Sequence, residues 1–431
     1  MNLKRQWPVI GALAASAMVL AGCSSSGNSG STGGSTPTSA SASFASSASA
    51  AAAAPKLTGA TIRIGFIDAL TGRNTQGVQS ASLAAAWVKW VNANGGIGGH
   101  PVQVIVEDSK NDPGTAQTVV QDLVQNQHVV ALMIDDTTAE ASIAPYVASH
   151  HIAMIGGFGA SPATWSALPN WFTMGTTVPT FIYMGAAAAE ATGATSFGAA
   201  TCTDTATCAA VGPLYKVSSA AEGLKFAGVV GMPDNAPSYT AQCLTLIQGG
   251  ANSIVLSIPP DTASFVVNDC TQQGFKGSYV LSGSTFQQSQ FSGDKGTTFV
   301  GGLNGFPWWS SAAPVKQFRA VLAQYAPSVD YRDAATTVIW TTLELFRKAI
   351  GDPIGQVTTA SVIKDYDSLH GETLAGLLPQ PLTFTAGKPA PQVNCFWMYK
   401  YTGGDTNPVS VHTGASGNGA QGDLASTCYK S

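Results

Sequence analysis

Adjacent acids, adjacent histidines and glycine-rich turns are where this 431-residue chain could do chemistry. Asp135 and Asp136 close an apolar run at 129–135. They could hold a cation or a ligand amine, although a solvated loop pair is the simpler reading. His150 and His151, two of only six histidines, sit at a polar helix end and read as solvated. The stretch 154–165, MIGGFGASPATW, ends an apolar run in Gly156-Gly157-Phe158-Gly159 and passes into small residues and a proline. Exposed backbone after a strand suits a phosphate. Here the GxGxxG spacing fails, and Pro162 and Trp165 interrupt the helix that such a loop must open. The turn 95–101, GGIGGHP, follows a helix and fails the same spacing. There is no GxxxxGK[ST] and no GxSxG elbow. No set of residues reads together as nucleophile, base and orienter, and Cys and His nowhere approach zinc-ligand spacing. No metal, cofactor or catalytic residue is expected, which leaves binding.

The elements that must position these residues alternate. Residues 61–70 read as an apolar strand. Residues 79–96 read as a helix with Leu83, Trp87, Trp90 and Val91 on one face, stopped by Gly95-Gly96. A strand at 100–109 follows, then a helix at 113–127 with Pro113 in its first turn. Next come a buried strand at 129–135, a helix at 137–151 and a strand at 152–157. The pattern restarts with strands at 224–232, 252–258 and 277–283 and helices at 238–251 and 261–274. Long helices at 314–327 and 333–350 follow. The tail has strand-like pieces at 381–385 and 394–402, with a turn at Gly403-Gly404. Strict alternation predicts an α/β fold with two doubly wound parallel sheets. About 375 residues of such pattern exceed one ordinary core and predict two lobes.

Residues 1–22 have a basic start and a short apolar stretch, and read as a signal peptide too short to span a membrane comfortably. Leu20-Ala21-Gly22-Cys23 resembles a bacterial lipobox, which implies cleavage before Cys23 and a lipid on its sulfur. The bland alternative is an exported protein with a chance cysteine. Residues 24–55 are almost entirely Ser, Gly, Thr and Ala, so 23–56 is expected to be a disordered, lipidated tether. Only 10% of residues are charged and the net charge is −4, so nucleic acid is not an expected partner. Seven cysteines less Cys23 leave six, an even number in an exported chain. Of the fifteen pairings this permits, nearest neighbours are favoured: Cys202–Cys208, Cys243–Cys270 and Cys395–Cys428.

Four stretches carry a resemblance to a known family: 62–72 (IRIGFIDALTG), 91–113 (VNANGGIGGHPVQVIVEDSKNDP), 144–162 (APYVASHHIAMIGGFGASP), and 241–258 (AQCLTLIQGGANSIVLSI) with 273–277 (QGFKG). The second is the most specific, running from a helix end through a glycine turn and a strand to an acidic pair. The chain resembles the periplasmic binding proteins of the leucine/isoleucine/valine type, receptors of ABC importers for branched-chain amino acids, amides and related solutes. The resemblance implies the type I fold, with two lobes on a three-segment hinge closing over a ligand. Lobe 1 would be 57–174 plus 303–378, and lobe 2 would be 175–302 plus 379–431, with crossovers near 172–175, 301–305 and 377–381.

In that family a ligand carboxylate is held by hydroxyls and amides at two loops of lobe 1. The first maps onto Asp136-Thr137-Thr138. The second maps onto Phe158, Gly159 and Ala160, where Phe158 replaces a small residue and Ala160 a usual threonine. An aromatic of the family becomes Gln76. In lobe 2 the acid that holds the ligand's ammonium aligns with Ser284, while Tyr239 keeps an aromatic. Trp308 and Trp309 follow the second hinge and either line the cleft or pack beneath it; Trp340 reads as core. The expected function is a monomeric solute-binding lipoprotein of an ABC importer. It would be anchored on the outer face of the bacterial cytoplasmic membrane, with a permease as partner. Its solute would be an amino acid, an amide or an apolar or aromatic organic acid. The alternative is a ligand sensor or surface-interaction lipoprotein of the same fold with no transporter.

Overall fold

The structure, a computed structural model, describes residues 56–72, 76–158, 163–174, 176–203, 210–234 and 236–429. The segments expected to be a signal peptide and a lipidated tether, through residue 55 and including Cys23, lie outside the described residues, as do Gly159, Ala160 and Cys208.

The first strand, β1 (Ile62–Asp68), is buried at every position except Arg63. A run buried on both faces belongs in the middle of a parallel sheet. It pairs with β2 (Val102–Asp108) on one side and β3 (Ala131–Ile134) on the other. β4 (Ala153–Gly156) and β5 (Trp171–Phe172) follow, giving the all-parallel order β2-β1-β3-β4-β5. The crossover helix Ser80–Ala93 buries Leu83, Trp87 and Val91 as its period requires. It ends where Gly95 and Gly96 turn to positive φ. At Gly96 any Cβ would lie 2.0 Å from the His100 carbonyl oxygen, so only glycine fits this C-terminal turn. The next helix, Pro113–Gln125, starts on Asp112, whose carboxylate accepts from the Thr115 amide at 2.7 Å.

The second sheet is built on β6 (Ser196–Cys202), β7 (Lys225–Met232), β8 (Ser253–Ser257), β9 (Ser278–Val280) and β10 (Thr298–Leu303), all parallel. It is mixed rather than purely parallel. The C-terminal segment adds β11 (Cys395–Thr402) antiparallel to β10, and β11 then forms a hairpin with β12 (Val409–Val411) through Gly403-Gly404. β13 (Thr427–Cys428) also pairs with β11. The strand expected at 381–385 is only a single bridge, Leu382 to Glu372. Pro381 supplies no ladder donor there, and Leu382 and Phe384 serve as buried side chains instead.

The chain leaves the first sheet after β5, returns to it after β10 and leaves it again before β11. Between the last two crossings, helices Ala313–Tyr325 and Ala334–Ile350 pack on Ser80–Ala93, and Thr359–Asp367 packs on β4. Trp87 Nε1 donates to Glu344 Oε1 at 2.7 Å, and Arg347 grips the same carboxylate at 2.7 and 3.0 Å. This buried contact fixes the returning segment to the first sheet. Among the described residues no helix is long and apolar enough to cross a membrane.

Cys243 and Cys270 are bridged across neighbouring helices Thr240–Gln248 and Pro260–Gln272, and Cys395–Cys428 ties β13 to β11. Replacing Cys243 and Cys270 together by Ser is expected to lower unfolding stability by roughly 3.5 kcal/mol, the loop-closure entropy restored to the unfolded chain. Denaturant unfolding of this variant and the parent, both without reductant, measures the difference, and equal midpoints would contradict it.

Candidate functional site

Because the strands of the first sheet run parallel, their carboxyl ends and the helix N-termini that follow them meet at one edge. Open α/β sheets bind ligands at that edge. In this chain the edge is rich in buried acids. Asp68, the last residue of β1, is buried and accepts from the Ala69 amide at 2.8 Å and from the Ser80 hydroxyl. Burial raises its pKa to about 6 against the lowering effect of those two hydrogen bonds, and the charges of Asp136 and Asp108 add to the rise. Gly77 sits against this carboxyl, where a Cβ would lie 2.4 Å from Asp68 Cγ.

After β3 come Asp135, Asp136, Thr137 and Thr138. Asp136 is buried and faces into its own half. It accepts from Ser109 Oγ at 2.6 Å, Asn111 Nδ2 at 3.1 Å and the Thr138 amide at 2.9 Å. Thr138 Oγ1 accepts from the same Asn111 Nδ2 at 3.0 Å. Both side chains therefore tie the β3 loop to the β2 loop. Asp135 and Thr137 face the other way, into a cavity.

After β4, Gly156 and Gly157 take φ of 77° and 87°, conformations that strain any other residue. A Cβ on Gly157 would also lie 3.0 Å from Glu140 Oε1. This turn is clamped by three groups. Trp171 Nε1 donates to the Gly156 carbonyl at 2.9 Å, Thr173 Oγ1 donates to the Gly157 carbonyl at 2.8 Å, and the Phe158 amide donates to the buried carboxylate of Glu140. The first amide beyond the glycines is thus taken by the chain itself. Asp333 completes the acidic edge. It caps helix Ala334–Ile350 through the Ala335 amide at 3.0 Å, and burial pushes its pKa up to about 7.

The cavity, about 20 Å³ in volume, is lined by Asp135, Thr137, Phe158, Met174, Asn304 and Val338 among others. Met174 lies just beyond β5 and Asn304 just beyond β10, so segments crossing between the sheets form part of its wall. Phe158 meets Phe181 of helix Val178–Ala191 edge to face, with ring centres 5.3 Å apart. Of the residues picked from the sequence, Thr137 and Phe158 come together here with Asp135. Tyr239 and Trp308 serve other roles. Tyr239 is buried, with its hydroxyl donating to the Pro233 carbonyl at 2.6 Å. Trp308 is fully buried against Phe286 at 5.5 Å and directs Nε1 to Gln288 Oε1 at 3.4 Å, so packing under the crossover is its role in this structure. Gln76 and Ser284 lie in the short turns Gln76–Gln79 and Gly283–Thr285. His150 is exposed and stacked on Tyr146 at 3.9 Å. Asn304 and Met174 escaped the sequence reading. Their one signal is position, immediately beyond apolar runs that end at crossovers.

A model of a periplasmic binding protein family matches residues 61–405. The chain belongs to that family. Solved structures agree in fold. A fatty acid ABC transporter substrate-binding protein from Thermomonospora curvata has a TM-score of 0.67 at 17% identity, covering 83% of this chain and 92% of its own. A leucine-binding protein from Thermotoga maritima has a TM-score of 0.65 at 12% identity, covering 81% and 98%. A Rhodopseudomonas palustris solute-binding protein in complex with 4-hydroxybenzoate has a TM-score of 0.64 at 16% identity, covering 81% and 95%. No curated protein matches by sequence. The family makes this chain an extracytoplasmic solute-binding protein of the ABC-transporter type, with the type I fold. Among the described residues no group of three acids, histidines or cysteines is placed to hold a metal.

Asp333 generates a pH prediction. Its folded pKa of about 7 lies above the ordinary 3.8, so the folded state holds this proton more tightly than the unfolded chain. Its stabilising effect is complete below pH 4 and is lost as pH rises towards 7. Stability is expected to fall over that window by up to about 1.4 kcal/mol per pH unit from this group. Asp333→Asn, which keeps a capping oxygen, should flatten that part of the slope in denaturant melts. A slope unchanged by the substitution would contradict the assignment.

Proposed function

We propose that this protein is the solute receptor of an ABC importer, a monomer held at the outer face of the cytoplasmic membrane through a lipid on Cys23. Lobes at 57–174 plus 303–378 and at 175–302 plus 379–431 close over the solute. We further propose that the solute has an apolar or aromatic body and no carboxylate bound to the first lobe. One observation carries this reading. Among the described residues, three amides that could cradle a ligand carboxylate at the edge of the first sheet are occupied by the chain's own acids. Glu140 takes the Phe158 amide, Asp136 takes the Thr138 amide, and Asp68 takes the Ala69 amide. A second carboxylate beside Asp135 would meet repulsion in a site of low dielectric. Phe158, Met174 and Val338 supply an apolar wall. The structural relatives include proteins described with leucine, fatty acid and 4-hydroxybenzoate, so the fold leaves the solute open.

A thermal-shift screen of metabolites, followed by small-angle scattering, tests the reading. A true solute raises stability by about 2.7 kcal/mol at one hundred times its Kd, and it lowers the radius of gyration as the lobes close. Phe158→Ala should weaken its binding by roughly tenfold, the loss expected from exposing part of an apolar contact. Micromolar binding of leucine through its carboxylate would reject the proposed solute class.

A further inference from the structure

Two acceptors in the cavity accept from no described residue. Asn304 is 5% exposed, and its buried Oδ1 has no hydrogen-bond partner. Asp135 is half-buried, and no described residue donates a hydrogen bond to its side chain. Both line the same small space. Of the hydroxyls around them, Thr173 and Thr342 are committed to the carbonyls of Gly157 and Val338. Among the described residues, the charged groups acting on Asp135 are Asp68 at the end of β1, Asp136 and Glu140 from its own loop and helix, and Asp333 at the cap of the facing helix. All are acids. The ion pairs of the described residues, Arg332–Asp330, Arg347–Glu344 and Lys348–Glu372, do not include Asp135.

Resting on the receptor reading above, we infer that the Asp135 carboxylate and the Asn304 side-chain oxygen form the seat for the organic ammonium head of the solute. An ammonium brings the missing donors and the missing positive charge at once. A bare metal ion fits less well, because no three ligating side chains converge among the described residues. The volume of about 20 Å³ suits a group the size of a water or a primary ammonium. The apolar body of the solute then lies on Phe158 and Met174. Burial, followed by the surrounding acids, holds the Asp135 pKa well above the ordinary carboxylate value. Binding an ammonium therefore favours the ionised form of Asp135.

The test uses 2-phenylethylamine and 3-methylbutylamine as probes, with 2-phenylethanol and 3-phenylpropanoate as matched neutral and anionic controls, by calorimetry and thermal shift. The amines are expected to bind more tightly than the alcohol, and more tightly as pH rises from 5. Asp135→Asn should weaken amine binding on the order of 100-fold while leaving alcohol binding within about threefold. Without any ligand, the same variant should melt higher at pH 8, because an unpartnered carboxylate among acids is gone. A lower melting temperature would show a structural role instead. The inference is overturned if neither amine binds at millimolar concentration, if Asp135→Asn leaves their affinity unchanged, or if the alcohol or the carboxylate binds as well as the amines. In the last case the receptor reading survives, since a solute still binds. Failure of every compound in the wider metabolite screen would instead remove the receptor reading itself.

Discussion

A carboxylate taken out of water needs donors or a counter-charge, and the carboxyl edge of the first sheet holds several, Asp68, Asp135, Asp136 and Glu140, that pair with no cation among the described residues. The parallel fold supplies the remedy. Strand-end amides and helix N-termini converge at this edge, and their partial positive charge stabilises anions. Asp68 uses the Ala69 amide and the Ser80 hydroxyl, Asp136 the Thr138 amide, Glu140 the Phe158 amide and Asp333 the Ala335 amide. Each contact pins a loop that would otherwise be free. For these loops, rigidity and the loss of a free anion-binding donor are therefore one fact. Asp135 has no such contact among the described residues, and its side chain faces the cavity.

Much of this architecture was legible in the sequence because periodicity reports burial. β1, the faces of helix Ser80–Ala93 and the Gly95-Gly96 stop follow from residue spacing alone. The antiparallel edge of the second sheet was less legible. A strand's direction depends on which crossing delivers it, and local pattern carries no record of that. The site was legible only in part. Thr137 and Phe158 were found because they stand at strand ends. The division of labour between Asp135 and Asp136 could not be seen, since adjacent residues on a loop point to opposite sides and only the partners Ser109 and Asn111, some 25 positions away, decide which is tied down. Trp308 stayed open for a related reason. Size and proximity to a crossover suit a cleft wall and a packed core equally, and Phe286 decides for the core.

The cavity draws on both halves of the chain, and this bears on how a solute could act. Asp135 and Phe158 follow strands of the first sheet, Asn304 follows β10 of the second, and Phe181 touches Phe158 from a helix packed on β10. A solute seated between them gains its full set of contacts only while the crossing segments hold these groups together. Its affinity for that arrangement must exceed its affinity for any opened one, and the difference is the free energy available to shift the population. A polar head placed at the crossovers gives more leverage than one placed deep in either half, because an interaction confined to one half would be equally strong open or closed and would shift nothing. The unpartnered Asn304 oxygen lies where such leverage exists. An acceptor buried without a donor disfavours this arrangement in the absence of solute, and the same acceptor, once satisfied, favours it.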